Sequence, residues 1–234
     1  MGLYAIADYH LSESVDKPMD IFGGAWENYT EKIKAGLQET MKSDDDVLIV
    51  GGDFSWGIDL KEALADFRLL ASYPGQKILL KGNHDLWWDT LTKLTRILAE
   101  NGLFHISFLF NNCYVYKDIA LCGTRGWFFE EERSDSHEEK VFRRELLRLE
   151  ASLNAARQTA AERIYCFLHY PPLYQGYRCD EILDIMKRYG VARCYYGHLH
   201  SHSQRLAVQG VQEGIDFRLI AADYMNFRPA LIEE

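Results

Sequence analysis

The sequence lacks long hydrophobic runs and an excess of basic residues. No apolar stretch approaches the roughly 18 residues that a membrane span needs. The apolar residues 1–7 are not preceded by the basic segment with which a secretion signal begins. Lys and Arg number 26 against 35 Asp and Glu, which gives a formal net charge of -9. We therefore predict a protein that binds neither membranes nor long duplex nucleic acid.

Cysteine motifs are lacking as well. The chain has five cysteines, an odd number, and no C-x-x-C motif. They are Cys113, Cys122, Cys166, Cys179 and Cys194. Most lie in apolar, strand-like stretches, which indicates buried reduced thiols rather than a disulfide framework. The predicted location is the cytoplasm.

Length and patterning predict the fold class. The 234 residues, 47% of them hydrophobic, suffice for one domain with a large core, so a single domain over 1–234 is predicted. Short apolar runs alternate with amphipathic stretches, as in β-α-β-α units. The principal predicted strands cover 2–8, 47–53, 77–85, 164–169 and 193–198. Late strand-like runs, RLAVQG and DFRLIAAD, have no helix between them. The pattern favours an α/β fold of two packed mixed β-sheets flanked by helices.

Polar side chains that can bind metals follow five of these strands. They are Asp8 and His10, Asp53, Asn83 and His84, His169, and finally His198 and His200. Ligands of open α/β sheets bind outside the carboxyl ends of strands, and His is not a preferred turn residue. The placement therefore predicts one shared site. His105, His137 and His202 lie outside the pattern and are interpreted as surface or packing residues.

The order D-x-H, G-G-D, G-N-H-D, H and G-H-L-H resembles the calcineurin-like metallophosphoesterases, from Asp8 to His200. That family has two packed sheets flanked by helices. The resemblance implies two metal ions, with Asp53 bridging them. The ligands of the first ion would be Asp8, His10, Asp53 and His200, and those of the second Asp53, Asn83, His169 and His198. His84 would stand beside the ions without binding them.

The residue types suit this chemistry. Imidazole and carboxylate together favour Mn, Fe or Zn. Two divalent ions against Asp8 and Asp53 leave about two positive charges, which favour a phosphate dianion as guest. The predicted reaction is in-line attack on phosphorus by a hydroxide that bridges the ions. His84 would protonate or steady the leaving group. Asp85 would orient His84 or its loop, or else act only as an acid at a helix N-terminus.

The second motif departs from one branch of the resemblance. Protein Ser/Thr phosphatases continue it as G-D-x-x-D-R-G, whereas this chain reads GDFSWG, with Trp56 and Gly57 in place of the acid and the base. This favours a small phosphoester, either a phosphodiester or a nucleotide-like compound, over a phosphoprotein. The alternative hypothesis is a catalytically silent member that uses the metals to bind a partner.

Two further features leave alternatives open. The five tryptophans, Trp26, Trp56, Trp87, Trp88 and Trp127, fall near strand exits or helix starts. They either rim the site and stack on a base or sugar, or pack as large aromatics at element ends. Arg125 either reaches the substrate or forms a surface salt bridge.

Overall fold

The computed structural model describes residues 1–127 and 136–234. The chain divides into two compact units. Unit 1 comprises Met1–Phe108 and Ile220–Glu234, and unit 2 comprises Leu109–Leu219. The single domain over 1–234 stays a prediction.

Thirteen strands and five α-helices lie within the described residues. The strands are β1 (Leu3–Ile6), β2 (Val47–Val50), β3 (Gln76–Leu79), β4 (Ile106–Phe108), β5 (Tyr114–Tyr116), β6 (Ile119–Thr124), β7 (Arg163–Leu168), β8 (Leu173–Tyr174), β9 (Tyr177–Arg178), β10 (Val191–Tyr196), β11 (Gly210–Gln212), β12 (Ile215–Leu219) and β13 (Ala230–Glu233). The helices are α1 (Tyr29–Thr40), α2 (Leu60–Ala71), α3 (Leu91–Glu100), α4 (Ser136–Ala156) and α5 (Asp180–Tyr189). Short 3₁₀ helices cover Met19–Phe22, Gly24–Trp26 and Ser201–Leu206.

Unit 1 contains a five-stranded sheet in the order β13-β1-β2-β3-β4. Strands β1 to β4 are parallel, and β13 pairs antiparallel with β1. The parallel strands β1 and β2 are almost entirely buried and apolar, as strands covered on both faces are, and β3 is buried except at Gln76. Their carboxyl ends lie at the same edge, so the loops after β1, β2 and β3 are neighbours.

Helices α2 and α3 begin at capping residues. The side chain of Asp59 accepts a hydrogen bond from the backbone N–H of Glu62, and that of Thr90 from the N–H of Lys93. Apolar side chains of both helices, Phe67 and Leu94 among them, belong to the buried core of unit 1. The capping and packing fix where each loop between strand and helix ends.

Unit 2 contains a six-stranded sheet in the order β11-β12-β10-β7-β6-β5 and a small hairpin of β8 and β9. The inner strands β6, β7, β10 and β12 are parallel, and the edge strands β5 and β11 are antiparallel to them. Helix α4 is tied to β6 by the hydroxyl of Ser152, which accepts a hydrogen bond of 2.9 Å from the N–H of Gly123. The predicted α/β class, with two mixed sheets and flanking helices, is confirmed.

One prediction about local structure was wrong, and one strand was not predicted. The run RLAVQG was predicted as a strand, but the 3₁₀ helix Ser201–Leu206 covers its first part. There Ala207 makes only an isolated bridge to Tyr174. Strand β13 has no matching sequence prediction, since it is short and half-exposed.

The cysteines agree with the sequence analysis. All five are free thiols, and only Cys113 among them is not buried. Among the described residues, no helix combines the length and apolarity that a membrane crossing needs.

Candidate active site

The loop after β1 holds the first two predicted ligands in unit 1. Asp8 and His10 are buried, with 0% and 3% of their surface exposed. The N–H of Asp8 donates to the carbonyl of Gly52 at 2.9 Å, and the N–H of His10 donates to the carbonyl of Asp53 at 2.9 Å. Backbone hydrogen bonds thus join the loop after β1 to the loop after β2.

Asp53 lies where three predicted ligands converge. Its Oδ2 is 3.7 Å from Nε2 of His10, and its Oδ1 accepts a hydrogen bond of 2.7 Å from the N–H of His84. Ligand atoms of Asp8 lie within 4.8 Å of those of His10 and within 4.8 Å of those of Asp53. Two buried carboxylates and an imidazole so close together fit a divalent transition metal.

Four predicted ligands have backbone angles that non-glycine residues seldom adopt. The φ angles are 63° at Asp8, 50° at His10, 50° at Asp53 and 71° at His198. Left-handed conformations of this kind cost free energy and cluster at functional sites. The strain at these positions supports a functional reading of the strand exits in both units.

Asp85 connects two of the strand-exit loops in unit 1. Its buried carboxylate accepts hydrogen bonds from the backbone N–H groups of Asp53, Phe54, Ser55 and Gly82 and from Nε1 of Trp87, at 2.7 to 3.3 Å. Helix α3 begins six residues later and is capped by Thr90, so Asp85 is not a helix N-terminal acid. Asp85 orients its loop; its participation in catalysis stays a prediction.

Asn83 and His84 follow Gly82 in the same loop. The side chain of Asn83 is half-buried, and that of His84 is exposed. No side chain fits at Gly82, because an added Cβ would overlap the carboxylate and the backbone nitrogen of Asp53. The glycine therefore allows the loop after β3 to approach Asp53 closely.

The remaining predicted ligands lie in unit 2. His169 is fully buried, and its backbone N–H donates to the carbonyl of Arg125 at 3.1 Å. Its ring centroid is 5.2 Å from that of His198, and the ring of Tyr170 packs against His198 at 4.5 Å. His200, half-buried, is the residue immediately before the 3₁₀ helix Ser201–Leu206. Unit 2 thus brings His169 and His198 together.

The three histidines outside the pattern are exposed, as predicted for surface residues. They are His105, His137 and His202.

A family comparison covers both sets of residues. The model of the family "Calcineurin-like phosphoesterase" matches residues 1–202, which include every predicted ligand. The chain belongs to the calcineurin-like phosphoesterase family. It is a metal-dependent phosphohydrolase, and the Asp and His residues described above are its candidate metal ligands.

Solved structures resemble this phosphoesterase at low sequence identity. A phosphopantetheinyl hydrolase from Mycobacterium tuberculosis is 15% identical, with 99% of this chain and 96% of that chain covered and a TM-score of 0.61. A protein of unknown function from Aquifex aeolicus is 17% identical, with 97% and 94% coverage and a TM-score of 0.46. No curated protein matches the sequence significantly.

The structure explains why the phosphoesterase lacks the protein-phosphatase form of its second motif. A Cβ at Gly57 would lie 2.7 Å from the backbone nitrogen of Ala63 at the start of α2, closer than real Cβ atoms approach. An arginine therefore does not fit at this position without a shift of the helix. The departure at Gly57 follows from how tightly α2 packs on the loop after β2.

A buried acid supports the same loop. Asp66 of α2 is fully buried, and its carboxylate accepts hydrogen bonds from the hydroxyl of Ser55 and from the N–H of Glu13. Burial, which disfavours the charged form, raises the pKa of Asp66 from 3.8 to about 6. The folded protein therefore binds a proton at this carboxyl more tightly than the unfolded chain does.

Asp66→Asn is expected to stabilise the protein above pH 7, by up to about 3 kcal/mol, because it removes the cost of ionising a buried acid. The amide oxygen still accepts from Glu13, and the amide nitrogen donates to Ser55. Because the folded pKa lies above the unfolded one, wild-type stability falls as pH rises from about 4 to 6. The stability of the variant relative to wild type should therefore increase between about pH 4 and pH 6 and stay constant above that range. Denaturant unfolding at several pH values measures it, and a difference independent of pH between 4 and 7 contradicts the assignment.

The tryptophans divide between packing and the site. Trp26 and Trp87 are buried in the core of unit 1, and Trp88 packs on Trp87 with ring centroids 5.4 Å apart. For these three the packing interpretation holds. Trp56 stacks on His10, with centroids 4.7 Å apart and planes 25° apart. In unit 2, Trp127 lies beside Arg125.

Arg125 differs from the surface salt bridge considered in the sequence analysis. Its Nη2 lies 3.7 Å from Oε1 of Glu145, a side chain that is only 1% exposed. The guanidinium also lies 4.9 Å from the ring centroid of Trp127. The ion pair is therefore partly buried, and contact of Arg125 with a substrate stays a prediction.

Proposed function

We propose that this chain is a dinuclear metal-dependent phosphoesterase that hydrolyses a small phosphoester. The observation that carries the proposal is the convergence of Asp8, His10 and Asp53 at left-handed, buried strand exits of unit 1. Asn83 of unit 1, with His169, His198 and His200 of unit 2, would complete the ligands. The family match spans all seven of these positions.

Each residue has a role in the proposed site. Asp53 has two carboxylate oxygens and would be the ligand shared by the two ions. When bound, Mn, Fe or Zn ions would supply an acidified water as nucleophile and neutralise phosphate charge. His84 is exposed while its backbone is held by Asp53, so its imidazole can reach a substrate and protonate the departing oxygen.

A small substrate, either a phosphodiester or a nucleotide-like compound, is proposed on two grounds. Position 57 has no room for the arginine of protein phosphatases. The net charge of -9 disfavours long duplex nucleic acid. The free thiols support a reducing, cytoplasmic location.

Metal analysis and turnover test the proposal. The purified wild-type protein is expected to hold two transition-metal ions per chain after incubation with Mn. It should then hydrolyse phosphomonoesters, cyclic nucleotides or short oligonucleotides, each offered separately. Metal binding without any turnover would favour the silent, partner-binding alternative. Faster dephosphorylation of phosphoproteins than of nucleotides and diesters would contradict the proposed substrate class.

Replacing His84 should separate its two possible roles. A general acid typically contributes about 10²- to 10⁴-fold to the rate. An alkoxide leaving group needs the proton far more than a nitrophenolate does, so His84→Ala should slow alkyl phosphoesters much more than nitrophenyl ones. The ratio of kcat values on matched substrates measures this difference.

The matched control is His105→Ala, which removes an exposed histidine whose Nδ1 lies 3.1 Å from Nε2 of Gln76. It should leave both rates unchanged. Equal losses on both substrates in His84→Ala would instead indicate electrostatic support of a phosphoryl oxygen.

A further inference from the structure

The indole of Trp56 contacts two of the histidines in unit 1. It stacks on His10 with ring centroids 4.7 Å apart, and it lies against His84 with centroids 4.6 Å apart and planes 54° apart. The rings of His10 and His84 are 5.7 Å from each other. One half-buried side chain on the loop after β2 thus touches a histidine from each neighbouring loop.

These contacts join one exposed and one buried histidine. His84 is exposed, and its ring lies against the indole of Trp56. His10 is buried, and its ring centroid lies 5.9 Å from that of Trp26. Its backbone carbonyl accepts a hydrogen bond of 3.1 Å from the hydroxyl of Tyr29. Both imidazole rings pack against the indole of Trp56, so the indole restricts the orientations of both rings.

The polar atom of Trp56 offers no competing explanation. Its Nε1 is buried and has no hydrogen-bond partner in the described part of the chain. A buried donor of this kind is unfavourable, so it does not account for an indole here. The ring face does have partners, including the ammonium of Lys17, 3.4 Å from the ring centroid. The contacts of Trp56 are therefore those of its ring.

We propose that Trp56 is a positioning residue, which holds the imidazoles of His10 and His84 in the orientation that metal binding and proton transfer require. The assignment of those two tasks rests on the proposed function. Groups that orient metal ligands typically change metal affinity or activity about 10- to 100-fold when they are removed. Trp56 would act through the two histidines and not by touching the reacting atoms.

Three variants test the proposal. Trp56→Ala removes the ring, whereas Trp56→Phe keeps an aromatic face and removes the unpartnered N–H. Trp88→Ala is the matched control, because Trp88 is also half-buried and its ring packs on Trp87 and Phe108 in the core. All measurements are made well below the unfolding temperature of the least stable variant.

Mn affinity by calorimetry is the first readout. Trp56→Ala should bind Mn about 10- to 100-fold more weakly than wild type. Its kcat on an alkyl phosphoester should fall more than its KM changes. Trp56→Phe should restore both values, and Trp88→Ala should lower the melting temperature without changing Mn affinity. Equal losses of affinity in Trp56→Ala and Trp88→Ala would overturn the proposal, since general loss of packing would then suffice.

The second readout is NMR relaxation of the histidine rings in metal-free protein, with resonances assigned from His10→Gln and His84→Gln. The rings of His10 and His84 should have high order parameters in wild type and Trp56→Phe and lower ones in Trp56→Ala. Unchanged order parameters in Trp56→Ala would overturn the positioning role. This measurement needs neither metal nor turnover, so it remains decisive even if wild type binds no Mn and hydrolyses nothing, which would refute the proposed function alone.

Discussion

Asp53→Ala is expected to lose both metal ions and more than about 10⁴-fold of its turnover, because enzymes typically accelerate reactions by about 10⁶-fold or more. The reason is the central place of this carboxylate. Its two oxygens face different partners, Nε2 of His10 and the N–H of His84. Asp8→Ala, which removes a ligand proposed for one ion, should mainly affect that ion. Elemental analysis of each purified variant gives the number of ions per chain.

Two controls separate metal loss from unfolding. Asp53→Asn keeps an oxygen that can accept the hydrogen bond from His84, so it should fold like wild type and still bind both ions poorly. Asp45→Ala removes an exposed acid before β2 and should change nothing. If Asp53→Ala retained two tightly held ions, the bridging assignment would be wrong.

Asp85→Asn is expected to destabilise the protein by about 3 kcal/mol or more, because a buried donor left without an acceptor costs about 1 to 3 kcal/mol. Oδ2 accepts from the N–H groups of Asp53 and Gly82, and Oδ1 accepts from Phe54, Ser55 and Trp87. An amide has one oxygen and a donor group, so at least two of these five N–H groups would face an NH₂. Denaturant unfolding measures the loss of stability.

The control is Asp89→Asn, four residues further along. This partly exposed carboxylate pairs with Lys93 at the surface, and such pairs contribute little to stability. Metal affinity should also fall in Asp85→Asn, since Asp53 and Gly82 lose their common acceptor. An Asp85→Asn protein as stable as Asp89→Asn would show that Asp85 does not hold the two loops together.

Much of the fold could be predicted from the sequence, because buried parallel strands are continuous apolar runs. Strands β1 and β2 follow this rule, as do the carboxyl-terminal parts of β3, β7 and β10, and polar residues mark the ends of these strands. The strand prediction for RLAVQG was wrong. Its alternation of polar and apolar residues resembles a strand, whereas its residues form part of a 3₁₀ helix and an isolated bridge. Strand β13 is too short to be recognised from the sequence alone, and only its pairing with β1 identifies it.

From the sequence alone, one could predict which side chains of the site lie at strand exits. The acceptor role of Asp85 was not, because its donors at Asp53, Phe54 and Ser55 are 30 to 32 residues away along the chain. For the same reason no local pattern could distinguish Trp56, which contacts His10, from Trp87, which packs in the core. Such contacts depend on which loops the sheet places side by side.

The pairing of β13 with β1 has a consequence for synthesis on the ribosome. Unit 2 is one uninterrupted segment, whereas the sheet of unit 1 joins residues near 3 to residues near 233. Chains emerge amino end first, at about 5 to 20 residues per second. Strand β1 therefore cannot pair with its antiparallel partner β13 until the whole of unit 2 has left the exit tunnel. During that interval β1 is an open sheet edge, the kind of surface that chaperones cover and that pairs wrongly with other nascent chains.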